Sequence, residues 1–161
     1  MFSKVSKNNE KAKLVLVGKG KPEYTEKCFG KIKELGIEGK VIYHERIEQK
    51  YLKAVYEVSD AFLLPTKYEI FGMVLLEAMY FGLPVFTTVN GGSTTLMNED
   101  NGIVIDGFNE DVWAEKINEV ISDAKLSENI GSKARETIEK GYTWDVLSDR
   151  FLEIYEKRLN K

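Results

Sequence analysis

Two glutamates frame an apolar run near the middle of the chain. Seven residues, IFGMVLL, separate Glu69 from Glu77, and six of them are apolar. Apolar side chains favour burial, whereas carboxylates resist it unless a polar partner is present. An ionised carboxylate can accept hydrogen bonds from two neighbouring hydroxyl groups, such as those of a ribose or hexose ring. The pair indicates either a site for a sugar-bearing ligand or, as the simpler alternative, an exposed turn acid followed by a buried acid in the N-terminal half of the helix.

The spacing of the pair favours different positions for the two acids. On a single helix, eight residues would separate them by roughly 12 Å along the axis. Good helix formers fill the stretch from Phe71 to Tyr80, and Gly82 and Pro84 follow it. We therefore expect Glu69 in the turn before the helix and Glu77 two turns into it.

Two glycine-rich stretches are candidates for anion contacts. Gly91 and Gly92 precede Ser93 and Thr94, and glycines let backbone N–H groups approach a phosphate at a helix start. The same pair is equally compatible with a plain turn. Gly18-x-Gly20 resembles a dinucleotide fingerprint without its third glycine, because Glu23 stands there, so it is either a ligand loop or a tight turn.

Other kinds of site find little support. The only histidine, His44, follows a strand pattern and is either a strand-end residue or a base; one histidine and one cysteine do not define a triad. No His, Cys and Asp cluster has metal-ligand spacing, so no metal site is predicted. The single cysteine, Cys28, has helical spacing from Ile32 and Leu35, which predicts a buried thiol.

Composition limits the class of protein. The 161 residues carry a net charge of -3, with 43% hydrophobic and 30% charged residues. This is typical of one globular domain and argues against nucleic acid as a main partner. No apolar run is long enough for an integral membrane segment, and no secretory signal is recognised. We expect a reducing cytoplasmic location, with membrane association of a longer protein left open.

Hydrophobic patterning predicts an α/β fold. Short apolar strands alternate with helical stretches, which indicates a Rossmann-like, doubly wound parallel sheet covered on both faces. After the fifth strand the pattern changes to C-terminal helices, the last with Leu147, Phe151, Ile154 and Tyr155 facing inward. Residues 1–10 are predicted as a polar leader or the stub of a truncated helix, and residues 11–161 as a single domain. The predicted strands are 14–17, 41–43, 61–64, 84–88 and 102–105.

In such sheets, ligands bind beyond the carboxyl ends of the strands. Four segments are expected there, and their glycines and helix starts favour a phosphate-bearing ligand. They are residues 18–22, 44–47, 66–72 and 90–94.

An ordered set of motifs resembles one family. EIFGMVLLEAM, then GLPV, then NGG resembles the E-x7-E region of group 1 retaining glycosyltransferases of the GT-B fold. LVLVGKG, ELGIEGKVIYHERI, AVYEVSDAFLLPTKYE, NGIVI and GYTWDVLSDRFLEIYEKRL follow the order and spacing of that family from about Ala12 onward. The resemblance implies a Rossmann-like domain that binds a nucleotide diphosphate sugar as substrate, without a further cofactor.

The resemblance also implies residue roles. Glu69 would contact hydroxyls of the transferred sugar as the catalytic-site acid, and Glu77 would accept hydrogen bonds from the ribose. Backbone amides of Phe71, Gly72, Met73 and Val74 would hold the sugar and the diphosphate. Arg46 and Ile47 would lie near the nucleobase. Gly18, Gly91 and Gly92 complete the expected donor-binding set.

Departures from the family limit what is expected. Ile70 stands where the family usually has glycine, and Thr95 where it often has glutamate, so the donor stays undefined. The family's Arg and Lys loop and its N-terminal acceptor-binding half have no counterpart here, which predicts a fragment with little transferase activity alone. A non-enzymatic nucleotide-binding or scaffolding module of the same fold is the alternative. A sugar-nucleotide epimerase is a third reading, for which no acid/base set is evident.

Overall fold

The computed structural model describes residues 1–159. Helices and strands alternate as far as the fifth strand, and three helices then follow. The helices are α1 (Phe2–Asn8), α2 (Pro22–Glu34), α3 (Gln49–Glu57), α4 (Met73–Tyr80), α5 (Gly91–Leu96), α6 (Glu110–Ser122), α7 (Ala124–Gly141) and α8 (Trp144–Leu159). The strands are β1 (Leu14–Val17), β2 (Val41–His44), β3 (Phe62–Leu64), β4 (Val85–Thr88) and β5 (Ile103–Ile105).

The chain forms two compact units. The first unit contains residues Met1–Val55 and Asn109–Asn118, and the second contains Tyr56–Phe108 and residues 119–159. In the first unit, β1 and β2 pair in parallel, from Leu14 with Val41 to Val17 with His44. Asn109 caps α6, its Oδ1 accepting from the Asp111 amide at 2.9 Å.

The second unit contains a three-stranded parallel sheet in the order β3-β4-β5. Every residue of the central strand β4 is buried, which explains its continuous apolar and threonine sequence. Helices α4 and α7 pack closely, and a Cβ added to Gly131 would lie only 2.0 Å from the Gly82 carbonyl oxygen. All three strand pairings are parallel, which agrees with the predicted α/β class.

Residues 1–10 contain helix α1. This helix covers Phe2–Asn8, and Val5 and Ser6 are buried.

Two burial predictions are wrong. Cys28 is exposed, because it borders an open apolar cavity of about 180 Å³ between α2 and the β1–β2 pair, rather than packed side chains. Phe151, Ile154 and Tyr155 of α8 are also exposed. The amphipathic pattern of α8 was correctly identified, but among residues 1–159 only α7 makes extensive contact with this helix.

Candidate functional site

The loop from Pro65 to Gly72 connects β3 to α4 and carries Glu69. Strand β4 fixes its beginning: Thr87 Oγ1 donates to the Leu64 carbonyl at 2.9 Å, and Thr88 Oγ1 donates to the Thr66 carbonyl. Thr66 Oγ1 accepts from the Tyr68 amide at 3.3 Å. Because these bonds anchor the loop to a buried strand, the residues that follow have a defined position.

Gly72 ends this loop and is the N-cap of α4. Its φ of 80° lies in the left-handed region, where a side chain is strained. A Cβ here would also lie 2.8 Å from Leu75 Cδ1 and 3.2 Å from Glu69 Cγ. Glycine is therefore required at the point where the chain turns into the helix, and α4 begins at Met73 rather than at the predicted Phe71.

The carboxylate of Glu69 turns back towards the helix start. Its Oε1 accepts from the Ile70 and Gly72 amides, each at 3.0 Å, and the residue is half-buried. Its Oε2 has no partner among residues 1–159. The two amide donors stabilise the negative charge and orient the group, and they leave one oxygen available to a ligand.

The next two amides form the positive end of α4. The N–H groups of Met73 and Val74 have no acceptor within the described residues, as expected in the first turn of a helix. Both residues are exposed. In contrast, the Gly72 amide donates to Glu69. Of the four backbone amides predicted to bind the donor, those of Met73 and Val74 are therefore the two at the positive end of the helix dipole.

Glu77 is half-buried on α4 and bound to a tyrosine that sequence reasoning missed. The Tyr56 hydroxyl donates to Glu77 Oε2 at 2.8 Å, while Oε1 has no partner within residues 1–159. Burial raises the pKa of the Tyr56 phenol, and the hydrogen bond to Glu77 raises it further. The helix therefore presents a carboxylate that is held on one oxygen and open on the other.

Aromatic rings fix the position of this tyrosine. The Tyr56 ring stacks on Phe81 with centroids 5.2 Å apart and planes at 10°, and it contacts Phe62 at 6.1 Å. A buried tyrosine needs a hydrogen-bond partner for its hydroxyl, and this requirement is the signal that the sequence offers. The 21-residue separation from Glu77 gave no indication of which partner it uses.

The glycine pair at α5 lies directly against the Glu69 loop. The Gly91 amide donates to the Glu69 carbonyl at 3.0 Å. A Cβ at Gly91 would lie 2.1 Å from the Ile70 carbonyl oxygen, and one at Gly92 would lie 2.3 Å from that of Phe71. Close backbone approach therefore accounts for both glycines, and the Gly91 amide is already occupied within the protein.

A capping box holds α5 in this position. Asn90 Oδ1 accepts from the Ser93 amide at 2.9 Å, and Ser93 Oγ accepts from the Asn90 amide at 2.9 Å. Asn90 Nδ2 donates to Thr87 Oγ1 and to the Thr88 carbonyl. The carboxyl end of β4 thus orders both the Glu69 loop and the start of α5.

The two departures from the family have simple local structures. Ile70 has a negative φ, so its backbone needs no glycine, and its side chain is 84% exposed beside Glu69. Thr95 Oγ1 donates to the Gly91 carbonyl at 2.7 Å. Its hydroxyl supports the α5 turn and brings no negative charge.

The remaining predicted residues belong to the first unit. Gly18 follows β1, where its amide donates to the His44 carbonyl and its carbonyl accepts from the Tyr43 hydroxyl at 2.9 Å. Arg46 and Ile47 follow β2; Arg46 is exposed and Ile47 is half-buried. All three therefore lie just beyond the carboxyl ends of the β1–β2 pair.

Within residues 1–159, no group of three or more His, Cys, Asp and Glu side chains could hold a metal ion. None of the helices in this part of the chain combines the length and the apolar character needed to cross a lipid bilayer.

Comparison with known proteins identifies relatives of this arrangement. A profile of the family described as "Glycosyl transferases group 1" matches residues 1–137. An uncharacterised glycosyltransferase from Methanocaldococcus jannaschii is 33% identical over 148 residues, covering 90% of this chain and 37% of that protein. The chain therefore spans little more than a third of that relative.

Solved structures support the fold. The C-terminal domain of a glycosyl transferase group 1 family protein (LpcC) from Francisella tularensis superposes with a TM-score of 0.80 at 22% identity, covering 89% of this chain and 78% of that one. Anabaena HepE, solved in complex with UDP-glucose, gives a TM-score of 0.81 at 23% identity, covering 90% of this chain and 41% of that one.

These likenesses confirm the Rossmann-like fold and the family resemblance that the E-x7-E region predicts. The family profile extends over most of the chain, including the two glutamates and the glycine pair. The chain belongs to the group 1 glycosyltransferase family.

Proposed function

We propose that this chain is the donor-binding half of a retaining glycosyltransferase, which transfers a sugar from a nucleotide diphosphate sugar to an acceptor. The observation that carries the proposal is the arrangement at α4. Two half-buried carboxylates, each with one unpartnered oxygen among the described residues, flank a helix start whose Met73 and Val74 amides are free.

The chemistry of a nucleotide sugar matches these groups. Helix N-termini favour phosphate, because the amides and the helix dipole are both positive there. Glu77 Oε1 accepts from ribose hydroxyls, and Glu69 Oε2 accepts from hydroxyls of the transferred sugar. The relative solved with UDP-glucose shares the fold of this chain, which supports a nucleotide sugar as the ligand class.

The assignment of Phe71, Gly18, Arg46 and Ile47 to the donor rests on the family resemblance. Gly72, Gly91 and Gly92 support the site by allowing close backbone approach. The donor is a substrate, and the proposal includes no metal or organic cofactor.

We further propose that this chain alone has little or no transferase activity. It spans 37% of the archaeal relative, and the acceptor is expected to bind to a second half. An enzyme stabilises a leaving diphosphate with positioned cations, and the loss of such groups costs several kcal/mol of barrier, about 10²–10³ in rate per donor removed. Measurable sugar transfer by the isolated chain would contradict this part of the proposal.

Calorimetric titration tests the binding function. The full chain is titrated with UDP-glucose, GDP-mannose and ADP-glucose, and we expect one of them to bind. Glu77→Gln should weaken that binding about tenfold or more, the size expected for hydrogen bonds to a charged group. Glu153→Gln, which alters an exposed α8 carboxylate paired with Lys157, is the matched control and should leave the affinity unchanged.

The alternative is a non-enzymatic nucleotide-binding or scaffolding module of the same fold. A scaffold predicts that no sugar nucleotide binds, or that Glu77→Gln binds as tightly as the parent chain. Either result would reject the donor-binding function.

A further inference from the structure

Tyr56 and Glu77 form a pair that the family resemblance did not indicate. Tyr56 lies in the last turn of α3 and is 9% exposed, and its hydroxyl donates to Glu77 Oε2 at 2.8 Å. Every part of this contact lies in the second unit. Within residues 1–159, the Glu77 side chain makes this one hydrogen bond.

The phenol ring has little freedom to move. Phe81 stacks on it at 5.2 Å, and Phe62 contacts it at 6.1 Å. The Tyr56 carbonyl also accepts from the Ser59 amide at 3.1 Å, at the end of α3. Because packing fixes the ring, the hydroxyl has a fixed position, and the carboxylate oxygen bound to it is held in place.

The hydrogen bond also decides which oxygen stays open. An ionised carboxylate is acceptor-only, with about four lone-pair directions, and a phenol has one hydrogen to donate. Tyr56 uses one direction on Oε2 and leaves Oε1 entirely open. Two vicinal hydroxyls, as in a ribose, need two acceptor directions with fixed geometry, and the held carboxylate supplies them.

We propose that Tyr56 is a positioning residue, which holds Glu77 in the rotamer that reads the ribose diol of the donor. The inference rests on the proposed nucleotide-sugar function and extends it to ribose against 2′-deoxyribose selectivity. Burial raises the pKa of the Tyr56 phenol, so the hydroxyl keeps its proton and its role as donor across the physiological range.

The test compares ribose and deoxyribose ligands. UDP, GDP and ADP are each titrated against their 2′-deoxy counterparts, using the full chain and its Tyr56→Phe variant, which keeps the ring and removes the hydroxyl. We expect the variant to bind the preferred ribonucleotide about threefold to tenfold more weakly, the usual size for loss of one hydrogen bond. Its affinity for the deoxy ligand should fall less, because only the 3′-hydroxyl remains for Glu77 to bind, so the ribose preference falls.

Tyr80→Phe is the matched control. Tyr80 lies on α4 and also contacts Phe81, at 5.6 Å, but its hydroxyl has no partner among the described residues. It should behave as the parent chain. In the Glu77→Gln background, Tyr56→Phe should change the ribose preference no further, because the group that it positions has lost its charge.

A second measurement needs no variant. With ¹³C-labelled tyrosine, the Tyr56 Cζ resonance should move on saturation with the ribonucleotide and move less with the deoxy ligand, while the Tyr80 Cζ resonance stays still. An unchanged ribose preference in Tyr56→Phe, or a Tyr56 resonance that ignores the ligand, overturns the positioning role alone. If the parent chain binds none of the six nucleotides, both this role and the proposed function fail.

Discussion

Glu77 is a half-buried residue, the fifth of the eight-residue helix α4, whose fully buried side chains are apolar. Its partner Tyr56 is buried, so the pair satisfies two polar groups that would each be costly to leave alone. Stability and the proposed binding are therefore linked at this residue. The oxygen bound by Tyr56 contributes to the fold, and the other oxygen is open to ligand.

Glu77→Ala tests the stabilising part of this arrangement. The Tyr56 hydroxyl would lose its acceptor while still buried, and we expect the free energy of unfolding to fall by about 1–3 kcal/mol. Urea denaturation measures the change, and Glu156→Ala, on the exposed part of α8, should be near neutral. Equal effects from the two variants would show that the Tyr56 bond contributes nothing.

Gly92 has a structural role that the sequence left open. A Cβ there would lie 2.3 Å from the Phe71 carbonyl oxygen and 2.8 Å from Leu75 Cδ1. Gly92→Ala should therefore destabilise the protein by about 1–3 kcal/mol, the usual range for an overpacked site. Thermal or urea unfolding provides the measurement.

Gly30→Ala is the control for Gly92→Ala. Gly30 lies inside α2, and nothing lies within 4 Å of an added Cβ. Since alanine favours a helix, this variant should gain about 0.5–1 kcal/mol. A neutral Gly92→Ala would contradict the close approach of α5 to the Glu69 loop.

The sequence located the two acids but not the groups that orient them. The apolar run between Glu69 and Glu77, together with Gly82 beyond the helical stretch, was sufficient to place one acid in a turn and the other in a helix. Tyr56 was missed because its contact depends on tertiary packing across 21 residues. The Gly91 amide was expected to face an anion, but it donates to the Glu69 carbonyl, a bond that only the folded loop reveals.

At the scale of the helices and strands, α7 carries an ion-pair network around Glu136. Glu136 accepts from Lys140 and from Lys133, the latter at 3.3 Å. The hydrogen bond from Lys140 is the largest cause that lowers the pKa of Glu136 below its ordinary value of 4.5, and Lys133 adds to it. All three side chains are exposed, so the network is expected to be weak and sensitive to salt.

Glu136→Gln should lower the melting temperature slightly at neutral pH and low salt. A carboxylate with a depressed folded-state pKa stabilises the fold above its unfolded pKa, and this contribution is lost as the pH falls through the folded value. The difference from the parent chain should therefore vanish on acidification below the folded pKa. Glu128→Gln, also exposed on α7, should match the parent at neutral pH and low salt; a Glu136→Gln difference that grows in acid would contradict the network.

Hydrophobic periodicity predicted which segments are helices and which are strands. It predicted helix boundaries and side-chain burial less accurately. All five strands lie where short apolar runs predicted them. Helix α4 begins two residues later than predicted, because the left-handed φ of Gly72 delays it. The pattern of α8 predicts a helix correctly, but it does not specify a packing partner. The exposure of Phe151 and Tyr155 could therefore not be deduced from it.

At the scale of the whole molecule, the chain belongs to a known family, whereas its activity is proposed. The chain matches the group 1 glycosyltransferases over residues 1–137 but spans 37% of the archaeal relative. Hydrophobic patterning predicted an α/β protein, which the parallel sheets confirm.

The amide resonances of Met73 and Val74 give the most direct test of the proposed donor site. The ¹⁵N-labelled chain is titrated with UDP-glucose, GDP-mannose and ADP-glucose, and the shifts are compared with those of Glu153 and Glu156 on the exposed part of α8. We expect the sugar nucleotide that binds to move the Met73 and Val74 resonances most and to leave those of Glu153 and Glu156 unmoved. Binding that leaves the resonances at the start of α4 unchanged, or no binding of any of the three ligands, would contradict this expectation.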